Sequence, residues 1–136
     1  MIIVLDTNVL VSGILKPYSK AATILRLVTD GTIQLAFDLR LLSEYRDVLN
    51  RSKFNFAKEN VEGFLEQTEQ EGLLVSVKPL KFHLPDPDDE PFLEVALSGE
   101  VKAIVTGNKR HFPKKEYEGV KILSPPEFLE GLRGKF

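Results

Sequence analysis

The sequence predicts an α/β protein with a mainly parallel sheet of about five strands. Short apolar runs alternate with longer stretches of helical periodicity, which is the pattern of repeated strand–helix–strand units. The first run, residues 2–5, is apolar throughout and rich in β-branched side chains, as expected of a strand buried on both faces. Gly31, Gly72 and Gly99 each follow a helical stretch, where glycine commonly ends a helix.

Each element can be placed in order from these signals. The predicted strands cover residues 2–5, 33–37, 74–77, 103–105 and 120–123. The predicted helices cover residues 21–29, 39–49, 58–71, 89–98 and 125–132. Ser19, Asp38 and Ser124 precede three of these helices and are good N-cap residues, and Pro125 occupies a first turn, where its missing N–H does no harm. Because no repeat, low-complexity tract or linker interrupts the pattern, residues 1–136 are expected to form one domain.

Composition narrows the classes of function. The chain has no cysteine, which excludes disulfides, a thiolate metal site and a cysteine nucleophile. Its net charge is −2, whereas a dedicated duplex-binding module is usually more basic. Any nucleic-acid contact should therefore come from a local patch or through metal ions held by acids. The apolar run before Asp6 is too short for a signal peptide or a membrane span, so a cytoplasmic protein without membrane contact is expected.

The first strand ends in Asp6, Thr7 and Asn8. In an open parallel sheet, ligands bind just outside the carboxyl ends of the strands, so an acid at this tip is well placed to hold a metal ion. The alternative is that one of these three residues simply caps the next helix, since all three types are good N-caps.

Two further acids interrupt apolar helical stripes. Glu44 stands three residues after Leu41, on the inward stripe of its helix, and Asp89 heads the apolar face that continues with Phe92. Acids rarely point inward unless they are paired or bind a metal. The alternatives are that Glu44 reaches into water at the edge of the stripe and that Asp89 caps its helix, which is also the simplest explanation for Asp88.

A fourth polar group follows the strand at residues 103–105. Thr106 and Asn108 can hydrogen-bond or ligate through oxygen, although an ordinary turn explains them as well. Lys109 and Arg110 are the best local candidates for phosphate contacts, with a solvated loop as the alternative. His111 has no partner nearby in the sequence, so a role as a proton carrier is not favoured.

Taken together, these residues resemble the PIN-domain family of metal-dependent ribonucleases, most closely the VapC-like toxin components of toxin–antitoxin systems. The matching segments are residues 6–10, 42–45, 86–93 with Ala96, 105–108 and 111–113. The resemblance implies a Rossmann-like, three-layer α/β/α fold. It also implies that Asp6, Glu44 and Asp89 gather at one pocket and bind Mg²⁺ or Mn²⁺. A fourth aspartate is common in the family where this chain has Asn108, so one negative charge is missing.

The function expected from this resemblance is metal-dependent endoribonuclease activity on RNA. Asp6, Glu44 and Asp89 would be catalytic, with Asn108 as a fourth metal ligand. The supporting polar residues would be Thr7, Asn8, Asp88 and Thr106. The implied partners are RNA, a small antitoxin protein and a second copy of the chain.

The sequence leaves two alternative functions open. One is phosphoryl transfer through an aspartyl-phosphate, which would require a second acid where Asn8 stands. The other is a non-catalytic PIN-like module that binds RNA or protein through a weakened metal site, which the uncharged Asn108 favours slightly.

Overall fold

The computed structural model describes residues 1–134, which form a six-stranded sheet flanked by helices in a three-layer α/β/α arrangement. The strands are β1 (Ile2–Leu5), β2 (Gln34–Phe37), β3 (Leu73–Leu74), β4 (Ala103–Val105), β5 (Glu116–Tyr117) and β6 (Val120–Leu123). The helices are α1 (Thr7–Leu15), α2 (Lys20–Thr29), α3 (Leu39–Leu49), α4 (Lys58–Glu71), α5 (Glu90–Ser98) and α6 (Pro125–Arg133).

The strand order is β3-β2-β1-β4-β6-β5, and all neighbours are parallel except β5 and β6. The chain passes from β1 to β2 and β3 on one side of the sheet, and then crosses to β4 on the other side of β1. This reversal leaves a crevice at the carboxyl ends of β1 and β4, which is where open α/β sheets bind their ligands. The fold therefore places the residues that follow Leu5 and Val105 side by side.

Local signals explain why several helices begin where they do. Ser19 Oγ accepts a hydrogen bond from the Ala22 N–H, and Asp38 Oδ1 accepts from Arg40 and Leu41. Ser124 begins α6 with a reciprocal capping box.

The predicted α/β class and mainly parallel sheet are confirmed. The bounds of β1, α3, α4, β4 and β6 agree with the structure residue for residue. Helices α2, α5 and α6 and strand β2 each differ from the predicted bounds by one residue at one end. Differences of this size are usual, because the terminal residues of an element are only partly held by its hydrogen bonds.

Helix α1 was not among the predicted helices. Its sequence carries Val9, Val11 and Ile14, which are β-branched, and a glycine at position 13, so helix propensity does not indicate it. Tertiary packing decides it instead. A Cβ on Gly13 would stand 2.6 Å from a Leu25 methyl carbon and 3.1 Å from the Ala21 carbonyl carbon, so the glycine lets α1 approach α2 closely.

The sheet has six strands rather than about five, and the strand predicted at 74–77 is wrong in its bounds. Strand β3 covers only Leu73–Leu74, because its single neighbour, β2, ends at Phe37 and leaves later residues with nothing to pair. The unpredicted β5 pairs with β6 through a two-residue turn at Glu118 and Gly119, both of which have positive φ. Within residues 1–134, no helix has the length and apolar character that a membrane crossing requires.

Candidate active site

Asp6 occupies the tip of β1 and is 4% exposed. It stands at the N-cap position of α1, yet its side chain makes no capping hydrogen bond. Its Oδ2 atom instead accepts from the hydroxyl of Thr106 at 2.8 Å, lies 2.8 Å from His111 Nδ1 and 3.4 Å from the amide nitrogen of Asn8. The capping alternative is therefore wrong for Asp6, and its carboxylate is directed into the crevice between β1 and β4.

Glu44 reaches the same crevice from α3. Its Oε2 atom accepts a hydrogen bond from the hydroxyl of Thr7, which ties α3 to the start of α1. Burial raises the pKa of Glu44, and the nearby charges of Asp6 and Asp88 raise it further against the opposing hydrogen bond from Thr7. The carboxylate is thus held beside other acids rather than extended into water.

Asp89 comes from the turn that precedes α5 and is 8% exposed. Its side chain makes no capping hydrogen bond, and its buried Oδ2 atom has no hydrogen-bond partner. Burial raises the pKa of Asp89 to about 6; the charge of His111 opposes this, and the charges of Asp6, Asp86 and Glu44 add to it. Asp86 caps the short 3-10 turn at Pro87–Asp89 that precedes α5, where its Oδ1 accepts from the Asp88 N–H.

His111 is the site residue that sequence reasoning missed. Its Nδ1 atom lies 2.8 Å from Asp6 Oδ2 and 3.7 Å from Asp89 Oδ1, so it stands between the two aspartates. Burial opposes protonation, but the hydrogen bond to Asp6 and the charges of Asp6 and Asp89 outweigh it and raise the pKa of His111. One feature of the sequence could have indicated His111, namely the apolar residue Phe112 that follows it. Phe112 is buried in the core, and its burial holds the neighbouring imidazole near the strand tips.

The polar residues at the two strand tips hold each other in place. Thr106 is fully buried; its hydroxyl donates to Asp6 and accepts from the Asn108 N–H at 3.0 Å. Asn8 accepts from the Gly107 N–H at 2.9 Å and so joins the start of α1 to the segment after β4. Thr7, Asn8 and Thr106 therefore orient the acids, as supporting residues would.

Asn108 stands differently from the three acids. Its side chain is exposed and accepts from the Arg110 N–H at 3.1 Å, which caps the short 3-10 turn at Lys109–His111. It is outside the set of residues that line the acidic cleft. A role as fourth metal ligand stays a prediction that this placement does not support.

The remaining candidates lie at the periphery. Lys109 forms an ion pair with Glu127, and Arg110 is exposed. Asp88 is exposed and is near enough to Glu44 to influence its pKa. None of the three lines the cleft.

Asp6, Glu44, Asp89 and His111 share one open cleft of about 490 Å³, within the ~300–1,000 Å³ usual for ligand sites. Thr7, Asn8 and Ser12 add polar groups to its lining. The rest of the lining is apolar apart from one lysine and consists of Val11, Leu15, Lys16, Val48 and Phe54. The cleft thus combines a buried acidic end with an apolar extension.

The three carboxylates of the cleft are chemically suited to bind a hard divalent cation, because Mg²⁺ and Mn²⁺ prefer carboxylate oxygens as ligands. The partnerless Oδ2 of Asp89 points the same way, because a buried carboxyl oxygen needs a proton, a donor or a cation. Within residues 1–134, however, no three His, Asp or Glu side chains are already arranged to hold a metal ion. The acids are gathered in one cleft but are engaged by Thr7 and His111.

A family model described as PIN domain matches residues 2–110, which include all three acids. The chain belongs to the PIN-domain family. PIN domains are generally nucleases and usually bind divalent metal ions. No curated protein matches the chain. The matched residues include β1, β4 and the helices that carry Glu44 and follow Asp89, whereas His111 lies just beyond them.

Proposed function

We propose that this PIN domain is a metal-dependent endoribonuclease that hydrolyses phosphodiester bonds in single-stranded RNA. The main observation in favour of this proposal is that the buried Oδ2 atom of Asp89 has no hydrogen-bond partner. This atom lies in the cleft that also holds Asp6 and Glu44. A buried carboxyl oxygen without a hydrogen-bond partner lowers stability, and groups of this kind are concentrated at binding and catalytic sites.

Asp6, Glu44 and Asp89 would hold Mg²⁺ or Mn²⁺ through carboxylate oxygens. When bound, such a cation makes a water more acidic and neutralises charge on the phosphodiester as the water attacks phosphorus. Thr106 and Asn8 keep Asp6 in one orientation, and Thr7 does the same for Glu44. His111 contacts Asp6 directly and stands beside Asp89, where its positive charge offsets the negative charge of the two aspartates.

Cleavage of a labelled, unstructured RNA with Mg²⁺, with Mn²⁺ and with chelator tests the proposal. Asp6→Asn and Glu44→Gln should each lower kcat/KM by about 100-fold or more, because each removes a charge from the proposed metal site. Asp47→Asn is the matched control, since Asp47 is an exposed acid on the same helix as Glu44. Undiminished cleavage in chelator, or equal activity of wild type and Asp6→Asn, would contradict the proposal.

A second candidate is a PIN module that binds RNA or protein without cleaving it. The observation in its favour is that the described residues hold no ready metal-binding group and that Asn108 is turned toward Arg110. A folded wild-type protein that binds RNA but cleaves none in any metal would favour this candidate.

The cellular role proposed is that of the toxin in a toxin–antitoxin pair, acting in the cytoplasm as a homodimer and restrained by a small antitoxin protein. This part of the proposal depends on the resemblance of the sequence to such toxins. Growth arrest on expression of the wild type, but not of Asp6→Asn, together with rescue by a protein encoded next to it, would support the role.

A further inference from the structure

An apolar groove leads away from the acidic end of the cleft. Thr7, Val11 and Leu15 succeed one another at four-residue spacing along α1, and Val48 stands one turn after Glu44 on α3. All five line the cleft. Eight residues of helix rise by about 12 Å, so the groove extends well beyond the acids.

Phe54 stands in the wall of this groove, in the loop between α3 and α4. Its ring stacks on that of Phe56 with 5.2 Å between centroids and 7° between planes. Asn55, between them, adopts a left-handed conformation with φ of 51°, which asparagine tolerates better than most residues. This turn brings two aromatic rings onto the same side of the chain, so Phe54 is held in place before any ligand arrives.

Positive charge accompanies the aromatic ring. Lys16 lines the groove, and the ammonium of Lys53 lies over the Phe54 ring, 5.1 Å from its centre. Both lysines are exposed. The cleft therefore combines carboxylates with an aromatic ring and Lys16, and Lys53 stands at that ring outside the cleft lining.

We propose that this groove binds an unpaired nucleotide next to the scissile phosphate, with its base against Phe54 and the following phosphate facing Lys16 and Lys53. Stacking of bases on aromatic side chains beside cations is how proteins bind single strands with little sequence preference. A purely apolar partner would gain nothing from the two lysines, whereas a polyanion with flat apolar bases matches both features. The inference rests on the proposed nuclease function and adds the subsite that would hold the nucleotide next to the cleaved bond.

The test uses a fluorescent ten-nucleotide unstructured RNA and four proteins: wild type, Phe54→Leu, Phe54→Tyr and Phe82→Leu. Phe82 is the matched control, because it is an exposed aromatic residue that stacks on Tyr117 outside the cleft. Dissociation constants measured in chelator report binding without turnover, and KM and kcat measured in Mn²⁺ report the reaction. Thermal unfolding shows that each variant is folded.

Phe54→Leu should weaken RNA binding by about tenfold and raise KM by a similar factor with little change in kcat, since stacking acts away from the reacting atoms. Phe54→Tyr and Phe82→Leu should behave as wild type. An RNA that carries an abasic site at the contacted position should bind wild type and Phe54→Leu equally. A duplex of the same sequence should bind wild type at least about tenfold more weakly than the single strand.

The contrary outcomes separate the two proposals. If wild type and Phe54→Leu share the same dissociation constant and KM while RNA is cleaved, the stacking proposal is wrong and the nuclease proposal stands. A folded wild-type protein that neither binds nor cleaves RNA would contradict both the stacking proposal and the nuclease proposal. A change in oligomeric state of Phe54→Leu, with RNA binding unchanged, would assign the groove to a protein interface instead.

Discussion

At the scale of single residues, the cleft contains two buried aspartates in opposite situations. Asp6 has the Thr106 hydroxyl, the Asn8 amide and His111 around one oxygen. Asp89 has one oxygen with no partner at all. The same residue type is therefore stabilised by its surroundings in one position and destabilised in the other.

The first prediction compares Asp6→Asn with Asp89→Asn in metal-free protein at pH 8. Asp89→Asn should raise the free energy of unfolding by about 1 kcal/mol, because it removes a buried negative charge whose Oδ2 atom has no hydrogen-bond partner. Asp6→Asn should lower it by about 1–2 kcal/mol, because hydrogen bonds to a charged acceptor are lost. Urea unfolding in chelator measures both, and the same sign for the two variants would contradict this account.

The second prediction concerns pH. The folded-state pKa of Asp89, about 6, lies above its ordinary value of 3.8, so the folded state binds this proton more tightly than the unfolded state. The resulting stabilisation is complete below about pH 4 and is lost as the pH rises through about 6. The raised pKa values of Glu44 and His111 act in the same direction.

Carboxylates such as Glu127, whose pKa is lowered by the hydrogen bond with Lys109, oppose this trend as the pH falls. The effect of Asp89 alone is therefore given by the difference in the free energy of unfolding between wild type and Asp89→Asn at each pH. That difference should grow in favour of the variant by about 1–3 kcal/mol between pH 4 and pH 7 in chelator. Urea unfolding at closely spaced pH values measures it, and a flat difference would show that Asp89 titrates normally.

At the scale of elements, helices are positioned against the sheet by close backbone contacts as well as by apolar stripes. Gly72 ends α4, and a Cβ there would stand 2.4 Å from the Thr68 carbonyl oxygen and 2.7 Å from that of Leu35 on β2. Gly63, inside the same helix, has no atom within 4 Å of such a Cβ apart from its chain neighbours and the backbone of its own helix. One glycine is required by packing and the other is not.

The third prediction is that Gly72→Ala and Gly63→Ala change stability in opposite directions. Gly72→Ala should lower the free energy of unfolding by about 1–3 kcal/mol, because the obstructing atoms belong to the backbone and cannot move aside. Gly63→Ala should raise it by about 0.5–1 kcal/mol through helix propensity. Thermal and urea unfolding of the pair provide the measurement, and stabilisation by Gly72→Ala would show that α4 can shift away from β2.

At the scale of the whole molecule, the acidic cleft exists only in the folded chain. Asp6 follows β1, Glu44 lies on α3 and Asp89 precedes α5. A cation bound by all three should therefore bind the folded state and not the unfolded one, and so stabilise the protein by mass action.

The fourth prediction follows from this linkage. Mn²⁺ at about 100 times its dissociation constant should raise the free energy of unfolding of wild type by about 2.7 kcal/mol at pH 7.5. Asp89→Asn should lose most of this gain, whereas Asp47→Asn, a change at an exposed acid, should keep it. Thermal unfolding with Mn²⁺ and with chelator measures the gain. Equal gains in all three proteins would mean that Mn²⁺ binds elsewhere.

Elements whose signals are local could be predicted from the sequence. The periodicity and caps of α3 and α4 and the apolar runs of β1, β4 and β6 lie within short windows, and their bounds agree with the structure. The acids at positions 6, 44 and 89 were found for the same reason, because each interrupts a local apolar pattern.

Contacts between distant residues were decided only by the tertiary structure. Helix α1 depends on Gly13 packing against α2, and His111 becomes a site residue only because the β1–β4 pairing brings it to Asp6, 105 positions away. Asn8 joins Gly107 across 99 positions, and Asn108 turns to a neighbour in its own loop. Sequence periodicity reports which face of an element is buried, but it carries no information on which distant side chain will stand opposite, and this is set by strand order and packing.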